Sequence, residues 1–562
     1  MPRLISVEVK SLGQLFEVGP GFRLPWFQRA YSWQTQQVAR LVGDLIEAMA
    51  GPQGESYPLG TVMLADVPGK DGLAIVDGHQ RIVTLTILAA VLRDLEPPGA
   101  IRTLLEGFVR GAGGSSRPFR LVPQANVAEF LAAAVQRDGA TTADFDESET
   151  PFSDSERRIV EVREYLRSRL AGASSATRAL RRNLARFLSD RCRVIVHLYD
   201  SEEYAWRELS VEEDTRLAFD PAAQAKSTIL GVMPDAEREA AGQIWEDCEE
   251  RIGVAAMGEL LGHIRTLKSR RRSEKPLEHE ICVLFELHRT GRPFVNEWLK
   301  PHAAILESMR ARRREPSTGD VLPDGARDAI ERMGWIEPRF WVPAALHWLS
   351  LRGAGDPETI EFFRRLDRLV WMLRIAGIDP PLQRRRIIEV VDELDKGGAP
   401  RQLTTLAIED ALSAATVESL RAQNFCLKSH AAAVLRRISA IRGRDPGPVD
   451  KKMVTVEHIL PRNPDRNRRW WGSFLSKQDV KAHVNRLGNL TFLTHADNQL
   501  AATKDWPEKR MILARSGFVL SEDVASVERW DRAAIAERTE ELIAILMRDW
   551  EPDHRAVHVA LR

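Results

Sequence analysis

The chain predicts an α+β fold, mostly helical, and three observations carry that prediction. An apolar strand-like run, Leu73 to Val76, turns through Asp77-Gly78 into a helix with little polar face. A long helical pattern anchored by Trp245, Leu260, Trp298, Trp348, Phe362 and Trp371 runs from about Ala222 to Arg442. A short apolar strand ending Glu457-His458-Ile459-Leu460-Pro461 then follows a break rich in Gly, Asp and Pro at Gly443 to Pro448. The expected domains are an α/β region over 1–221, a helical spacer over 222–442 and a third domain over 443–562.

In the first region an amphipathic helix is expected near Gln36 to Ala50, and Tyr57 to Leu64 reads as a strand. The helix after Gly78 carries Ile82, Leu85, Ala89 and Leu92 at helical spacing, with Val83, Ile87 and Val91 between them, so it should be buried. Gly111 to Ser116 reads as a loop and Thr141 to Ser155, acidic and polar, as a link. Arg193 to Tyr199 reads as a strand that returns to the N-terminal sheet. The arginine triplets at 270–272, 312–314 and 384–386 admit two readings, solvated helix faces or contacts to a DNA backbone.

Bulk properties bound the function. With 562 residues the chain should hold several cores, and 80 Lys plus Arg balance 80 Asp plus Glu, so a nucleic-acid surface must be a local patch. Hydrophobic content of 44% and charged content of 28% are ordinary for a globular protein. Cys192, Cys248, Cys282 and Cys426 form no C-x-x-C, which disfavours a zinc knuckle or disulfide scaffold and fits a reducing, cytoplasmic setting. The start lacks the apolar stretch of a signal peptide, and no membrane association is expected.

The chemistry concentrates near the C-terminal end. Hydrolysing a phosphodiester requires a base for water and a cation for the developing charge. A neutral imidazole serves as base at neutral pH, which nominates His458. Carboxylate and amide oxygens suit Mg²⁺ (or Mn²⁺), which nominates Glu457 and Asn498 as ligands. Gly488-Asn489 is a turn dipeptide whose Asn side chain can hold the His-bearing loop. Arg462, Arg468 and Arg469, with Trp470 and Trp471 in the same basic loop, make a stretch suited to DNA.

A second constellation opens the chain. Gly78 permits a tight turn, the following helix offers unpaired N–H groups to an anion, and Arg81 adds a forked cation, so phosphate is expected there. Asp77 would hold Mg²⁺ or orient water. The aromatics of the preceding Phe22 to Trp33 stretch suit a cover over the sheet.

At these residues the chain resembles the GmrSD-type modification-dependent (type IV) restriction endonucleases. The C-terminal resemblance, to their His-Me finger (HNH) or ββα-metal nuclease domain, rests on Glu457-His458-Ile459-Leu460-Pro461, Leu487-Gly488-Asn489-Leu490-Thr491-Phe492-Leu493, Asn498, Lys509, and Trp530 with Ile535 and Arg538. It implies His458 as general base, Asn489 as organiser of the loop, Asn498 as metal ligand and Glu457 as second ligand or its support. The N-terminal resemblance is to a ParB/sulfiredoxin-like domain that binds and hydrolyses nucleoside triphosphate (ATP, GTP or CTP) and helps sense modified DNA. It rests on F-R-L-P-W-F-Q-R-x-Y-x-W, the strand at Tyr57 and I-V-D-G-x-Q-R, and implies Asp77, Gly78, His79, Gln80 and Arg81 as the nucleotide site; beside the packing reading it also implies Gln28, Arg29 and Tyr31 as lining a cavity that tests a modified DNA group.

Two departures bear on that site. His79 stands where the family has glutamine, and an N-x-R-G-like motif is not visible around Arg216 to Lys226, where Asp220 to Lys226 reads D-P-A-A-Q-A-K. The resemblance implies a phage-defence endonuclease or nickase acting on modified double-stranded DNA, with DNA-modification enzymes as functional partners and homo-oligomerisation open. Two alternatives stand beside it: a nucleotide-switched DNA-binding regulator on a non-catalytic nuclease scaffold, and an RNA-cleaving toxin.

Overall fold

The computed structural model describes the chain apart from residues 1–2, 18–20, 26–27, 29, 52–54, 70, 112–117, 124, 144–151, 214–220, 272–274, 311–320, 337–338, 448–452, 464–473, 475 and 552–562. Its fold is α+β and mostly helical, in two compact units, Met1–Lys268 with Ser273–Glu307, and Ser269–Arg272 with Ser308–Arg562. The helical stretch 222–442 is thus shared between the units.

The first unit is built on a mixed sheet. Its strands are β1 (Leu4–Ser11), β2 (Phe22–Arg23), β3 (Tyr57–Ala65), β4 (Leu73–Asp77), β5 (Leu121–Val122) and β6 (Cys192–Tyr199), in the order β1-β6-β3-β4-β2-β5. The late strand β6 does return to this sheet, antiparallel to β1 (Val7↔His197) and parallel to β3 (Val62↔Val196). Alternation along the central strands feeds two cores. Val62, Leu64 and Ile75 join the main core with the helix His79–Leu95, while Met63, Ala65, Ala74 and Val76 face Tyr199, Ala205 and Leu209 on the other side.

The helix His79–Leu95 is buried from His79 through Arg93 except at Arg81, as its apolar composition on every side predicts. It starts at Gly78, whose left-handed φ of 90° favours glycine, and a Cβ there would make a tight 3.1 Å contact with Val62 Cγ2. The helix Thr35–Ala50 lies where the amphipathic pattern places it.

In the second unit, helices from Asp324–Met333 to Ala431–Ile441 precede a two-stranded sheet. Strands β7 (Val454–His458) and β8 (Leu490–Thr494) run antiparallel in the register Glu457↔Thr491 and His458↔Leu490. The helix His495–Ala501 follows directly, giving a ββα unit. Ile459, Leu460, Leu493, Leu513, Trp530 and Ile535 form its core. Among the described residues no helix is long and apolar enough to cross a membrane, and the four cysteines are free.

Candidate functional site

The ββα unit places His458 at the end of β7. Its Nε2 lies 3.2 Å from Asn485 Oδ1 and 3.4 Å from Arg462 Nε; it donates to the first or accepts from the second, according to tautomer. Nδ1 has no hydrogen-bond partner among the described residues. Burial, reinforced by Arg462, pushes the imidazole pKa down to about 4. The ring is therefore neutral at pH 7, with a lone pair available for a proton.

Successive side chains on a strand leave by opposite faces, so Glu457 does not share His458's direction. Its buried carboxylate meets Lys509 Nζ at 2.5 Å, and the same amine donates to the carbonyls of His458 at 2.7 Å and Ala502 at 3.2 Å. Burial raises the Glu457 pKa and lowers that of Lys509, each against the pull of its partner. Desolvation weakens both charges individually, while their contact keeps the pair together. This pair anchors the backbone beneath the imidazole.

Asn489 is fully buried and every polar atom of its amide is engaged. Oδ1 accepts from Leu460 N at 2.8 Å and Trp530 Nε1 at 3.1 Å; Nδ2 donates to Leu460 O at 3.0 Å and Val484 O at 2.8 Å. The backbone adds Ile459 N to Asn489 O at 2.9 Å. One side chain thus clamps the turn leaving β7. Gly488 is needed beside it because a Cβ would meet Ile535 O at 2.2 Å. Arg538, also buried, donates to the carbonyls of Gly488 at 2.6 Å, Leu490 at 2.8 Å and Leu520 at 3.0 Å, and burial brings its pKa down to about 10.

Asn498, on the helix after β8, donates Nδ2 to Thr455 Oγ1 at 2.7 Å, while Oδ1 has no hydrogen-bond partner among the described residues. Its carbonyl is a hard oxygen of the type Mg²⁺ accepts; Glu457 supplies another, already engaged by Lys509. Among the described residues no cluster of three or more His, Cys, Asp and Glu could hold a metal. Arg462 is exposed beside His458, whereas Arg468, Arg469, Trp470 and Trp471 lie outside the described residues.

In the first unit the two motif segments interlock. Gln80 accepts from the backbone N–H groups of Ser32 at 2.9 Å and Trp33 at 3.3 Å and donates to Ala30 O at 3.1 Å and to His79 Nε2 at 2.7 Å. Gln28 donates to the β4 carbonyls of Ile75 at 3.0 Å and Val76 at 2.6 Å, and the Tyr31 hydroxyl pairs with Thr84 Oγ1 at 2.8 Å. Gln28 and Tyr31 are buried, with burial raising the Tyr31 pKa, so both brace the loop from inside rather than line an open surface. Arg29 lies outside the described residues.

The Arg81 guanidinium is bonded to β3, to Leu59 O and, at 2.8 Å, to Thr61 O. Asp77, with its side chain 41% exposed, is 4.0 Å from Arg81 and stands beside the helix N-terminus. The Arg81 fork is thus committed to β3, and what the turn leaves open is the carboxylate of Asp77 and the backbone N–H groups of residues 79–81 that begin the helix.

Two residues to which the sequence reading gave no role belong to these surroundings. Asn485, at the His458 ring, ends a helix and carries no pattern of its own. Lys226 is fully buried in the helix Pro221–Val232, with Nζ 3.4 Å from Gln28 O and 3.3 Å from Glu246 Oε1. Burial lifts the Glu246 pKa to about 7 against the pull of Lys226. A lone cation among small and apolar residues was the available signal.

Residues 12–219 match the family described as GmrSD restriction endonuclease, N-terminal domain, and residues 408–545 match GmrSD restriction endonucleases, C-terminal domain. No curated protein matches the sequence.

Proposed function

The chain belongs to the GmrSD restriction endonuclease family, and from that premise we propose that it is a modification-dependent DNA endonuclease whose hydrolytic centre is the ββα unit around His458. The observation that carries this reading is the neutral imidazole at the end of β7, its Nδ1 unengaged among the described residues and its backbone clamped by Asn489 and Lys509.

In this reading His458 Nδ1 accepts the proton of the attacking water, and Arg462, exposed beside the ring, meets the phosphate. Asn489 is a positioning residue: it holds the turn and touches no substrate. Asn498 Oδ1 fits a divalent cation, Mg²⁺ or Mn²⁺, as one oxygen ligand, with Glu457 supporting the strand from behind through Lys509. A bound cation would stabilise charge growing on the phosphoryl oxygens and the leaving oxygen.

The first unit supports a regulatory role for nucleoside triphosphate. Its helix N-terminus at Gly78 and the exposed carboxylate of Asp77 suit a magnesium-bound polyphosphate. Arg81 serves there by fixing β3 against that turn. Gln28 and Tyr31 act on DNA discrimination only through the loop they brace, and the nature of the DNA mark is left to experiment.

The test compares the full chain with His458→Ala on modified and unmodified duplex DNA and on RNA, with Mg²⁺ or Mn²⁺, with and without each triphosphate. The expected result is metal-dependent cleavage of modified duplex that His458→Ala abolishes while DNA binding persists. Cleavage retained by the variant, or activity confined to RNA, would overturn the assignment.

A further inference from the structure

A cleft in the second unit gathers more cations than anions. It is lined by Arg332, Arg364, Arg365, Arg368 and Arg437 against only Asp367 and Asp549, around a cavity of about 70 Å³. Both carboxylates bond Arg437, Asp367 at 2.9 and 2.7 Å and Asp549 at 2.9 Å, and Asp367 also stands 3.6 Å from Arg332 Nε. Glu361 bonds Arg364 at 2.8 Å, leaving Arg365 a contact of 3.9 Å. Arg368 has no ion pair within 4 Å among the described residues.

The donors are unmatched as well. Arg332 Nε, Arg365 Nε, Arg368 Nε, Arg437 Nε and Trp550 Nε1 are all shielded from solvent without a hydrogen-bond acceptor among the described residues, and all belong to lining residues. A buried donor without an acceptor is costly, and several around one cleft call for an explanation. Helical spacing adds to this: Arg364 and Arg368 stand four residues apart, a like-charge arrangement that destabilises an isolated helix. Burial lowers the pKa of Arg368, and Arg365 and Arg364 oppose its charge more than Glu551 favours it.

We propose that this cleft is a binding site for a phosphoryl group bearing at least two negative charges. Guanidinium forks match tetrahedral oxyanions, and the surplus of arginine over aspartate asks for more than the single charge of a carboxylate or a phosphodiester. A diphosphate or triphosphate chain and the terminal phosphate of a cut DNA strand share that chemistry. Either would supply acceptors to the stranded donors. The site shares no residue with the Gly78 helix N-terminus.

The test uses the full chain and pyrophosphate as probe, followed by calorimetry and thermal unfolding. Arg365→Gln/Arg368→Gln is the test variant; Arg437 is left intact because its ion pairs hold the fold together. Arg384→Gln, at an exposed arginine outside the cleft, is the control. The wild type and the control should bind pyrophosphate with a saturable component that the double variant weakens at least tenfold. The double variant should also unfold at a higher temperature without ligand, since repulsion is removed, and gain less from pyrophosphate. Competition by nucleoside triphosphate identifies a free nucleotide as occupant, and competition by 5′-phosphorylated but not 5′-hydroxyl duplex identifies a DNA end. Equal pyrophosphate binding and equal stabilisation in wild type and double variant would overturn the proposal, as would an equal loss in Arg384→Gln.

Discussion

Replacing Asn489 by alanine removes the single amide that holds the turn after β7. Four groups lose their partner in a site closed to solvent: the Leu460 N–H, the Leu460 and Val484 carbonyls and the Trp530 indole N–H. At about 1–3 kcal/mol for each stranded group, full loss would exceed about 4 kcal/mol; local relaxation and water entry reduce this, so a cost of about 3–5 kcal/mol is expected. Because His458 lies two residues before Leu460, loosening the turn also misplaces the imidazole. A displacement near 1 Å costs about a hundredfold in rate, so kcat should fall by that order with KM little changed. The assay is hydrogen exchange of the Leu460 amide and its neighbours together with DNA cleavage. Asn489→Asp separates packing from polarity: it retains the acceptor facing Leu460 N–H but turns the donor side into a repelling oxygen, so it should be as damaging at pH 7. Protonation restores one donor. The buried carboxyl's folded pKa lies above its unfolded value, so the variant should recover stability as pH falls through that raised pKa. Unchanged Leu460 protection and unchanged kcat in Asn489→Ala would refute the reasoning.

Cleavage should follow an acidic limb well below the ordinary histidine value. Burial and Arg462 hold His458 at about 4, so its base form persists through neutral pH and is lost only as pH falls towards 4. A pH profile of kcat/KM with its acidic limb at about 6.5 would contradict this. Lys509→Met should destabilise the ββα unit by about 3–5 kcal/mol by leaving Glu457 buried and unpaired, and Glu457→Gln in the same chain should recover part of the loss. A double-mutant cycle by denaturant-dependent hydrogen exchange measures this, and strict additivity of the two substitutions would remove the pair from the account.

Much of the frame was legible because it rests on burial. The apolar runs of β3, β4 and β6 and the all-apolar face of His79–Leu95 mark interior elements whatever they pack against. β1 was not read: its Ile5, Val7 and Val9 are half or more exposed, so its alternation lacks the contrast that marks a buried face. At the candidate site, residue types and order were legible but directions were not. The Glu457–Lys509 pair spans 52 positions, and no spacing announces it. One clue was present: neighbours on a strand diverge, so an acid next to the histidine in β7 is poorly disposed to share its ligand. Gln28 and Tyr31 suggested a surface because they are polar, yet a loop folded against a sheet edge leaves backbone groups that only interior polar side chains can satisfy.

That distinction sorts the motif residues by physical role. Gln80, Asn489, Trp530 and Arg538 spend their polar atoms on backbone, on one another or, for Gln80, on His79, and leave little for a ligand. His458 and Asn498 each keep an atom unengaged among the described residues, and Asp77 keeps only a 4.0 Å contact with Arg81. A motif recognised by order alone therefore reports scaffold as readily as chemistry, because a site can hold geometry to a fraction of an ångström only when its supports are saturated. Substitutions at the saturated residues should act on stability and rate together, whereas those at His458 should act on rate alone. The fold-change in kcat per unit change in hydrogen-exchange protection is the quantity that separates the two groups, and a His458 variant that loosens the turn as much as an Asn489 variant would collapse the distinction.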